Sequence, residues 1–197
     1  MTTCPTPPTT TRYTPTIRPA STPTDWLEAS ALLHDYVEWL RAAAGVEPLD
    51  EQPALRPELA DLPAHYDGAR SELFVARLGP LAVGTVAIRT DDRGLAELKR
   101  LYLRPIARGS GLADRLVGVA VDAAAARGCH TVWLESLSGV MEPALAVYRR
   151  NGFVDGADED RTIHLDGMVM LVRQTEPVPG DRTQRGRYSD GPANTTV

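Results

Sequence analysis

The chain has 197 residues, 43% of them hydrophobic, which is enough for one core, and a formal net charge of −5. That charge argues against a nucleic-acid binder or a protein docked on an anionic membrane, since both need a basic surface, and it favours a cationic partner. Two cysteines form neither a disulfide framework nor a metal cluster. Because no cleavable signal or long apolar run is visible, we expect a cytoplasmic protein.

The first fifteen residues alternate threonine and proline, so residues 1–15 are predicted to be a disordered tail. Thr16–Ala20 is predicted to form a short strand, at a sheet edge because proline at 19 is tolerated only there. A helix is predicted to begin after Thr22, because this threonine is followed by a proline at 23 and an aspartate at 25. The helix should end at Gly45. One stripe of this helix is expected to enter the core: Trp26, Leu33, Tyr36, Val37 and Leu40.

The middle of the chain contains a proline-rich segment and then three strands. Residues 47–66 hold four prolines, which predicts a loop with one helical turn at residues 56–62. Strands are predicted at Leu73–Leu78, Leu81–Ile88 and Leu95–Leu103, with Pro105 closing the last of them. The turns between them are short and contain glycine, so the three strands should form an antiparallel meander.

A glycine-containing turn, Arg108 to Ala113, follows this meander and opens a helix with apolar residues at helical spacing. Its backbone N–H groups can surround an anion, because glycine has no Cβ and a helix N-terminus favours negative charge. A diphosphate would suit such a site, although glycines between a strand and a helix also form ordinary tight turns.

The remaining elements complete an α/β domain over residues 16–174. A strand at Thr131–Leu134 should run parallel to the Leu95–Leu103 strand, because a helix connects them. A helix is predicted to begin at Pro143, and an antiparallel pair at Thr162–Leu165 and Met168–Arg173. We therefore expect a single mixed, mostly antiparallel sheet of about 6–7 strands with helices on both faces, followed by a disordered tail at 175–197.

Two motifs resemble those of the GNAT acetyltransferases. The Arg108–Ala113 turn has the form R-x-x-G-x-A, similar to that family's coenzyme A pyrophosphate loop, and Ala144–Phe153 matches its A-x-x-x-Y-x-x-x-G-F signature. The resemblance implies a GNAT fold, in which two parallel central strands splay apart. It also implies acetyl transfer from acetyl-CoA to a primary amine of a small molecule or peptide, directly within a ternary complex and without a metal.

The same resemblance assigns roles to residues. Glu97 would be the general base, and Tyr148 the acid that protonates the coenzyme A thiolate. The Leu101 N–H would polarise the thioester carbonyl. The main chain of Leu101, Tyr102 and Leu103 would hold pantetheine, and the pyrophosphate would lie on Arg108, Gly109, Ser110, Gly111, Leu112 and Ala113. One position departs from the family, since Glu142 stands where an asparagine often contacts the cofactor.

Some alternatives stay open at this stage. Glu97 could be a strand carboxylate ion-paired with Lys99, and Tyr148 a core aromatic. Arg104 is a second candidate for phosphate contact. The whole chain could also be a non-catalytic acyl-CoA-binding module with a sensing or structural role. The acceptor amine is not identified, and a homodimer is not excluded.

Overall fold

The computed structural model describes residues 13–45, 47–157 and 166–176. The predicted strand at 162–165 and most of both predicted tails lie outside these ranges. The elements, in chain order, are β1 (Pro15–Pro19), α1 (Pro23–Ala44), α2 (Pro48–Glu51), α3 (Leu55–Ala60), α4 (Leu62–Tyr66), β2 (Ser71–Leu78), β3 (Leu81–Thr90), β4 (Leu95–Leu103), a 3₁₀ turn (Pro105–Ala107), α5 (Leu112–Ala126), β5 (Thr131–Leu137), α6 (Glu142–Arg150), β6 (Val154–Asp155) and β7 (Met168–Gln174).

The described strands form one sheet in the order β1-β2-β3-β4-β5-β7-β6. Every neighbouring pair is antiparallel except β4 and β5, so the predicted mixed, mostly antiparallel sheet is confirmed. β1 lies at an edge, where Pro19 removes no bond from an inner ladder. It begins at Pro15, a residue assigned above to the disordered tail.

Helix α1 begins and ends where its sequence predicts. The Asp25 N–H donates to Thr22 Oγ1 at 3.2 Å, the Thr22 N–H donates to Asp25 Oδ2 at 2.8 Å, and Gly45 ends the helix with φ +69°. Four members of the predicted stripe are buried, but Trp26 is only half-buried. Trp26 packs against the same cluster as the other four residues, so the predicted stripe is confirmed.

The segment from residue 47 to residue 66 differs most from its prediction. Instead of a loop with one turn it forms the three short helices α2, α3 and α4. Their prolines lie in first turns, with Pro48 opening α2, Pro57 in α3 and Pro63 in α4. A first-turn proline removes no helical hydrogen bond, because the N–H groups there have no partner in the helix. These prolines start helices rather than prevent them.

Apolar residues cover both faces of the sheet, as predicted. On one face α5 and α6 pack against the sheet through a buried cluster that includes Leu98, Leu116 and Leu134. On the other face α1 and the α2–α4 segment form a second cluster, which includes Leu33 and Leu73. The sheet is thus the middle layer of three.

The parallel strands β4 and β5 separate soon after they begin. They pair over only three positions, Leu95 with Thr131 to Glu97 with Trp133. β4 continues to Leu103 and β5 to Leu137 without pairing with each other. The expected splay is confirmed, and it opens a gap along the second half of β4.

A bulge lies in that second half of β4. Tyr102 pairs with Thr85 and Lys99 with Ala87, so Arg100 and Leu101 together face a single residue of β3. Before the bulge Leu98 packs into the α5-side core, whereas after it Tyr102 packs into the α1-side core. The bulge thus reverses the alternation of the strand. Arg100 has φ +60°, a backbone conformation that costs a residue with a Cβ about 1–2 kcal/mol.

Candidate active site

The turn between β4 and α5 has the backbone that its glycines suggest. Gly109 and Gly111 have φ +73° and +75°. A Cβ built at either position meets no heavy atom within 4 Å, so the space above the turn is open. The Ser110 hydroxyl donates to the Ala107 carbonyl at 2.6 Å and holds the turn from below. A larger residue at either glycine would both strain the backbone and enter this space.

Five consecutive backbone N–H groups, from Gly109 to Ala113, donate to no acceptor among the described residues. Gly111 is the N-cap of α5, and no side chain caps the helix there. These groups add to the positive end of the helix dipole. Backbone N–H groups converging at an uncapped helix N-terminus suit a phosphate or diphosphate, so the structure fits this part of coenzyme A.

The two arginines beside the turn have different environments. The Arg108 Nε donates to the Leu103 carbonyl at 3.1 Å, and its guanidinium lies 5.9 Å from the ring centroid of Trp39. Arg104 instead pairs with Asp35 at 2.7 Å and donates to the Ala82 carbonyl at 3.0 Å. Arg108 therefore remains a candidate phosphate ligand, whereas Arg104 is engaged in holding α1 and β3 to β4.

A cavity of about 520 Å³, here called the turn cavity, lies between this turn, the end of β4 and α6. Eight of the nine predicted cofactor-binding residues line it: Leu101, Tyr102, Leu103, Arg108, Gly109, Gly111, Leu112 and Ala113. The ninth, Ser110, lies in the turn itself. Sequence reasoning missed Arg150, which lines the cavity and binds Asp114 at 2.5 and 2.7 Å. That guanidinium lowers the pKa of the Asp114 carboxyl.

A second cavity of about 670 Å³, here called the sheet cavity, lies against β4 and β5 under the α2–α4 segment. Glu97 and Tyr148, the two predicted catalytic residues, both line it. The structure therefore brings together two side chains that are distant in sequence. Leu101 and Met141 line the turn cavity as well as the sheet cavity. The two cavities thus adjoin beside the bulge of β4.

Glu97 lies in the sheet cavity as a partner of Lys99. The Lys99 ammonium donates to Glu97 Oε1 at 2.8 Å, and the two side chains are 16% and 25% exposed respectively. The ion pair that the sequence left open is therefore present. Its partial exposure means that the Glu97 carboxylate also faces the cavity. Arg89 is its cross-strand neighbour on β3 and lines the same cavity.

Tyr148 is buried, with 5% of its surface exposed, and its ring packs edge-on against Phe153 at 5.8 Å between centroids. Its hydroxyl makes no hydrogen bond with any part of the chain that the structure describes. Burial raises the pKa of the Tyr148 phenol well above its ordinary value near 10. The phenol is therefore protonated near neutral pH, which is the state a general acid requires.

A buried ion pair borders the sheet cavity. Arg100 binds both carboxylate oxygens of Glu58 at 2.6 and 2.8 Å, and the Tyr66 hydroxyl donates to the same carboxylate at 2.8 Å. Burial alone would raise the pKa of the Glu58 carboxyl, but its hydrogen bond and charge interaction with Arg100 outweigh this and lower it. No local pattern pairs Arg100 with Glu58, which lies 42 residues earlier, so sequence analysis did not find this contact.

Glu142, the position that departs from the family pattern, has a local structural role. Its Oε1 accepts the Gly139 N–H at 2.8 Å and closes the turn before α6. Glu142 lines neither cavity, whereas its neighbour Met141 lines both. Among the described residues we find neither a helix that could cross a membrane nor a group of three or more His, Cys, Asp or Glu side chains arranged to hold a metal.

Comparisons with known proteins identify the family of this chain. The model of the Acetyltransferase (GNAT) family matches residues 31–153. An IAA acetyltransferase from Azospirillum brasilense is 32% identical over 62% of this chain and 72% of its own length. The mouse protein "Probable N-acetyltransferase family 8 member 5" is 30% identical over 65% of this chain and 59% of its own length.

A solved structure is similar across most of the described fold. It is the PaiA N-acetyltransferase from Thermoplasma acidophilum in complex with coenzyme A, with a TM-score of 0.63, 15% identity, and coverage of 82% of this chain and 99% of that one. At this identity the likeness supports the fold alone. It agrees with the overall fold described above.

Proposed function

This chain belongs to the Acetyltransferase (GNAT) family, and on that premise we propose that it transfers the acetyl group of acetyl-CoA to a primary amine. The acceptor is a small molecule or a peptide. Transfer is direct, with acetyl-CoA and amine bound at the same time. No acyl-enzyme intermediate is required, because the described residues of the two cavities include no cysteine or serine–histidine pair beside Leu101.

One observation carries this proposal: two cavities adjoin at Leu101 and Met141. The turn cavity suits acetyl-CoA, since the free N–H groups of Gly109–Ala113 lie at one end and the gap beside β4 at the other. The sheet cavity is large enough for an amine-bearing acceptor. An acceptor there would approach the acetyl group from the side of Glu97.

The chemistry needs a proton removed from the amine and one delivered to sulfur. Glu97, directly or through water, takes the proton of the acceptor ammonium. The amine nitrogen then forms a bond to the thioester carbonyl carbon, while the Leu101 N–H stabilises the oxyanion. As the carbon–sulfur bond breaks, Tyr148 gives its proton to the thiolate. The nitrogen loses its second proton to solvent as the adduct collapses, and the products are an N-acetylated amine and coenzyme A. One proton returns through solvent to Tyr148, so one proton is released overall.

The electrostatics of the two protein groups suit these roles. Burial raises the pKa of the phenol and keeps it neutral, and the same desolvation raises the basicity of the thiolate that departs beside it. The Glu97 carboxylate lies beside Lys99 and faces the cavity, where it can attract an ammonium group. The acceptor's ammonium group competes with Lys99 for this carboxylate. Acceptors whose ammonium group comes close to Glu97 are therefore favoured.

A panel of primary amines tests this proposal. Each amine is incubated with the protein and acetyl-CoA, and both coenzyme A release and the acetylated product are measured. We expect turnover with at least one amine and none without protein. Binding of acetyl-CoA without transfer to any amine, peptide amines included, would favour the non-catalytic acyl-CoA-binding module instead.

A further inference from the structure

Arg100 occupies a backbone position where glycine is usual. Among the described residues it is the one non-glycine with a positive φ. It is also the first of the two residues that form the β4 bulge. A residue with a Cβ leaves this region of φ unless other contacts hold it there. The contacts that hold Arg100 must therefore involve its side chain or its neighbours.

The side chain of Arg100 is fixed at its far end. Both Glu58 oxygens accept from it, and the arginine and glutamate side chains are 8% and 4% exposed. The Tyr66 hydroxyl also donates to Glu58 Oε1. Glu58 lies on α3 and Tyr66 on α4, so the ion pair joins the α3–α4 segment to β4. A buried, bidentate contact of this kind restrains the whole side chain and, through it, the orientation of the backbone at Arg100.

The next residue along the strand is the proposed oxyanion donor. Leu101 is the second residue of the bulge and lines both cavities, at a point where β4 has no partner on its β5 side. Rotation of the backbone at Arg100 would turn the peptide plane that carries the Leu101 N–H. Its direction therefore depends on the conformation of Arg100.

We propose that Arg100 is a positioning residue for acetyl transfer, whose ion pair with Glu58 holds the bulge and directs the Leu101 N–H toward the junction of the two cavities. This inference rests on the proposed function and adds to it a residue outside the reacting groups. Arg100 lines the sheet cavity, but both oxygens of a buried carboxylate already bind its guanidinium, so we assign it no direct role in binding the acceptor. Its effect on the reaction passes through the main chain.

The test compares two double variants that differ by one methyl group. The first double variant combines Glu58→Gln with Arg100→Gly, and the second combines Glu58→Gln with Arg100→Ala. Glu58→Gln is included because the Glu58 carboxylate would otherwise be left buried without its partner. Both double variants lack the ion pair, but glycine adopts φ +60° without strain and alanine does not. We expect kcat of the alanine variant to be about 10-fold below that of the glycine variant, since strain of this size shifts a conformational population by about that factor.

The split between kinetic constants separates positioning from simple stability. The KM values for acetyl-CoA and for the amine should be similar in the two double variants, because the donor acts mainly in the transition state. Arg77→Ala is the matched control, since it breaks another partly buried pair between sheet and helix, with Asp25 and Glu28, away from both cavities. It should lower the melting temperature and leave kcat unchanged.

Equal kcat in the glycine and alanine variants overturns this inference, as does a loss confined to the KM for the amine. If the parent protein turns over an amine while the two variants match, the proposed function stands and the positioning role falls. If the parent protein acetylates no amine, the proposed function fails and this inference fails with it.

Discussion

Tyr148→Phe removes one hydroxyl from a buried ring and should change catalysis without changing the fold. The hydroxyl makes no hydrogen bond with the described part of the chain, and the ring keeps its edge contact with Phe153. No protein partner is left unsatisfied, so we expect the free energy of unfolding to change by less than about 1 kcal/mol. The thermal shift caused by acetyl-CoA should also be preserved.

The expected kinetic loss follows from the role of the hydroxyl. A positioned proton-transfer group usually contributes at least about 10²-fold to the rate. We therefore expect kcat to fall roughly 10²-fold in Tyr148→Phe, which corresponds to about 2.7 kcal/mol in the activation free energy. The KM for acetyl-CoA should change little, because the proton moves only as the carbon–sulfur bond breaks.

The pH dependence gives the most specific form of this prediction. A phenol acts as an acid only while it is protonated, and it loses its proton as pH rises through its pKa. Because burial raises the pKa of Tyr148 well above 10, the parent protein should show no fall in kcat from this group up to about pH 10. An ordinary phenol would have produced such a fall.

The assay is kcat at saturating acetyl-CoA and amine for both proteins from about pH 6 to about pH 10. We expect the ratio of parent to variant to stay constant over this range. A ratio near one at every pH would refute the assignment of Tyr148 as the acid. A ratio that shrinks toward one at high pH would refute the argument from burial, because the phenol would then be ionising within the range.

The remaining predictions concern the turn and two carboxylates. Gly111→Ala should abolish the acetyl-CoA thermal shift, because alanine at φ +75° would change the directions of the free N–H groups. The control Gly118→Ala, in the interior of the same helix, should keep the shift and raise the free energy of unfolding by about 0.5–1 kcal/mol. Glu97→Gln should lower kcat roughly 10²-fold below the pKa of the amine and less above it, while Glu72→Gln, which alters a pair with Arg127, should leave the profile of kcat against pH unchanged. The pKa of Glu58 is lowered in the folded state. The charged carboxylate therefore stabilises the fold above the unfolded pKa near 4.3, and this contribution is lost as pH falls below that value. Urea unfolding of Glu58→Gln should show a weaker loss of stability below about pH 4 than unfolding of the parent protein.

Features fixed by neighbouring residues could be predicted from the sequence. Strand β4 has the predicted bounds, the N-terminal cap of α1 has the predicted partners, and the glycine turn has the positive φ values that its residue types suggest. Each depends on contacts within a few residues, where spacing and residue type carry the information. The resemblance to the GNAT family is confirmed by the family match and extends to the splayed strands.

Features fixed across long distances could not be predicted. The four prolines of residues 48–63 indicate a loop when counted, but three of them lie in first turns and are compatible with α2, α3 and α4. The bulge at Arg100 depends on a carboxylate far away on α3, and no local pattern indicates a positive φ for arginine. The pair of Glu97 with Lys99 was one of two alternatives that the sequence left open, because residues two apart on a strand share a face.

The central claim is that amine and acetyl-CoA occupy adjoining cavities at the same time. Initial rates measured over a grid of both concentrations, with an amine identified from the panel, test it most directly. The adjoining cavities predict double-reciprocal lines that intersect, because both substrates must be bound before coenzyme A leaves. Parallel lines, with coenzyme A released before the amine binds, would contradict direct transfer in a ternary complex.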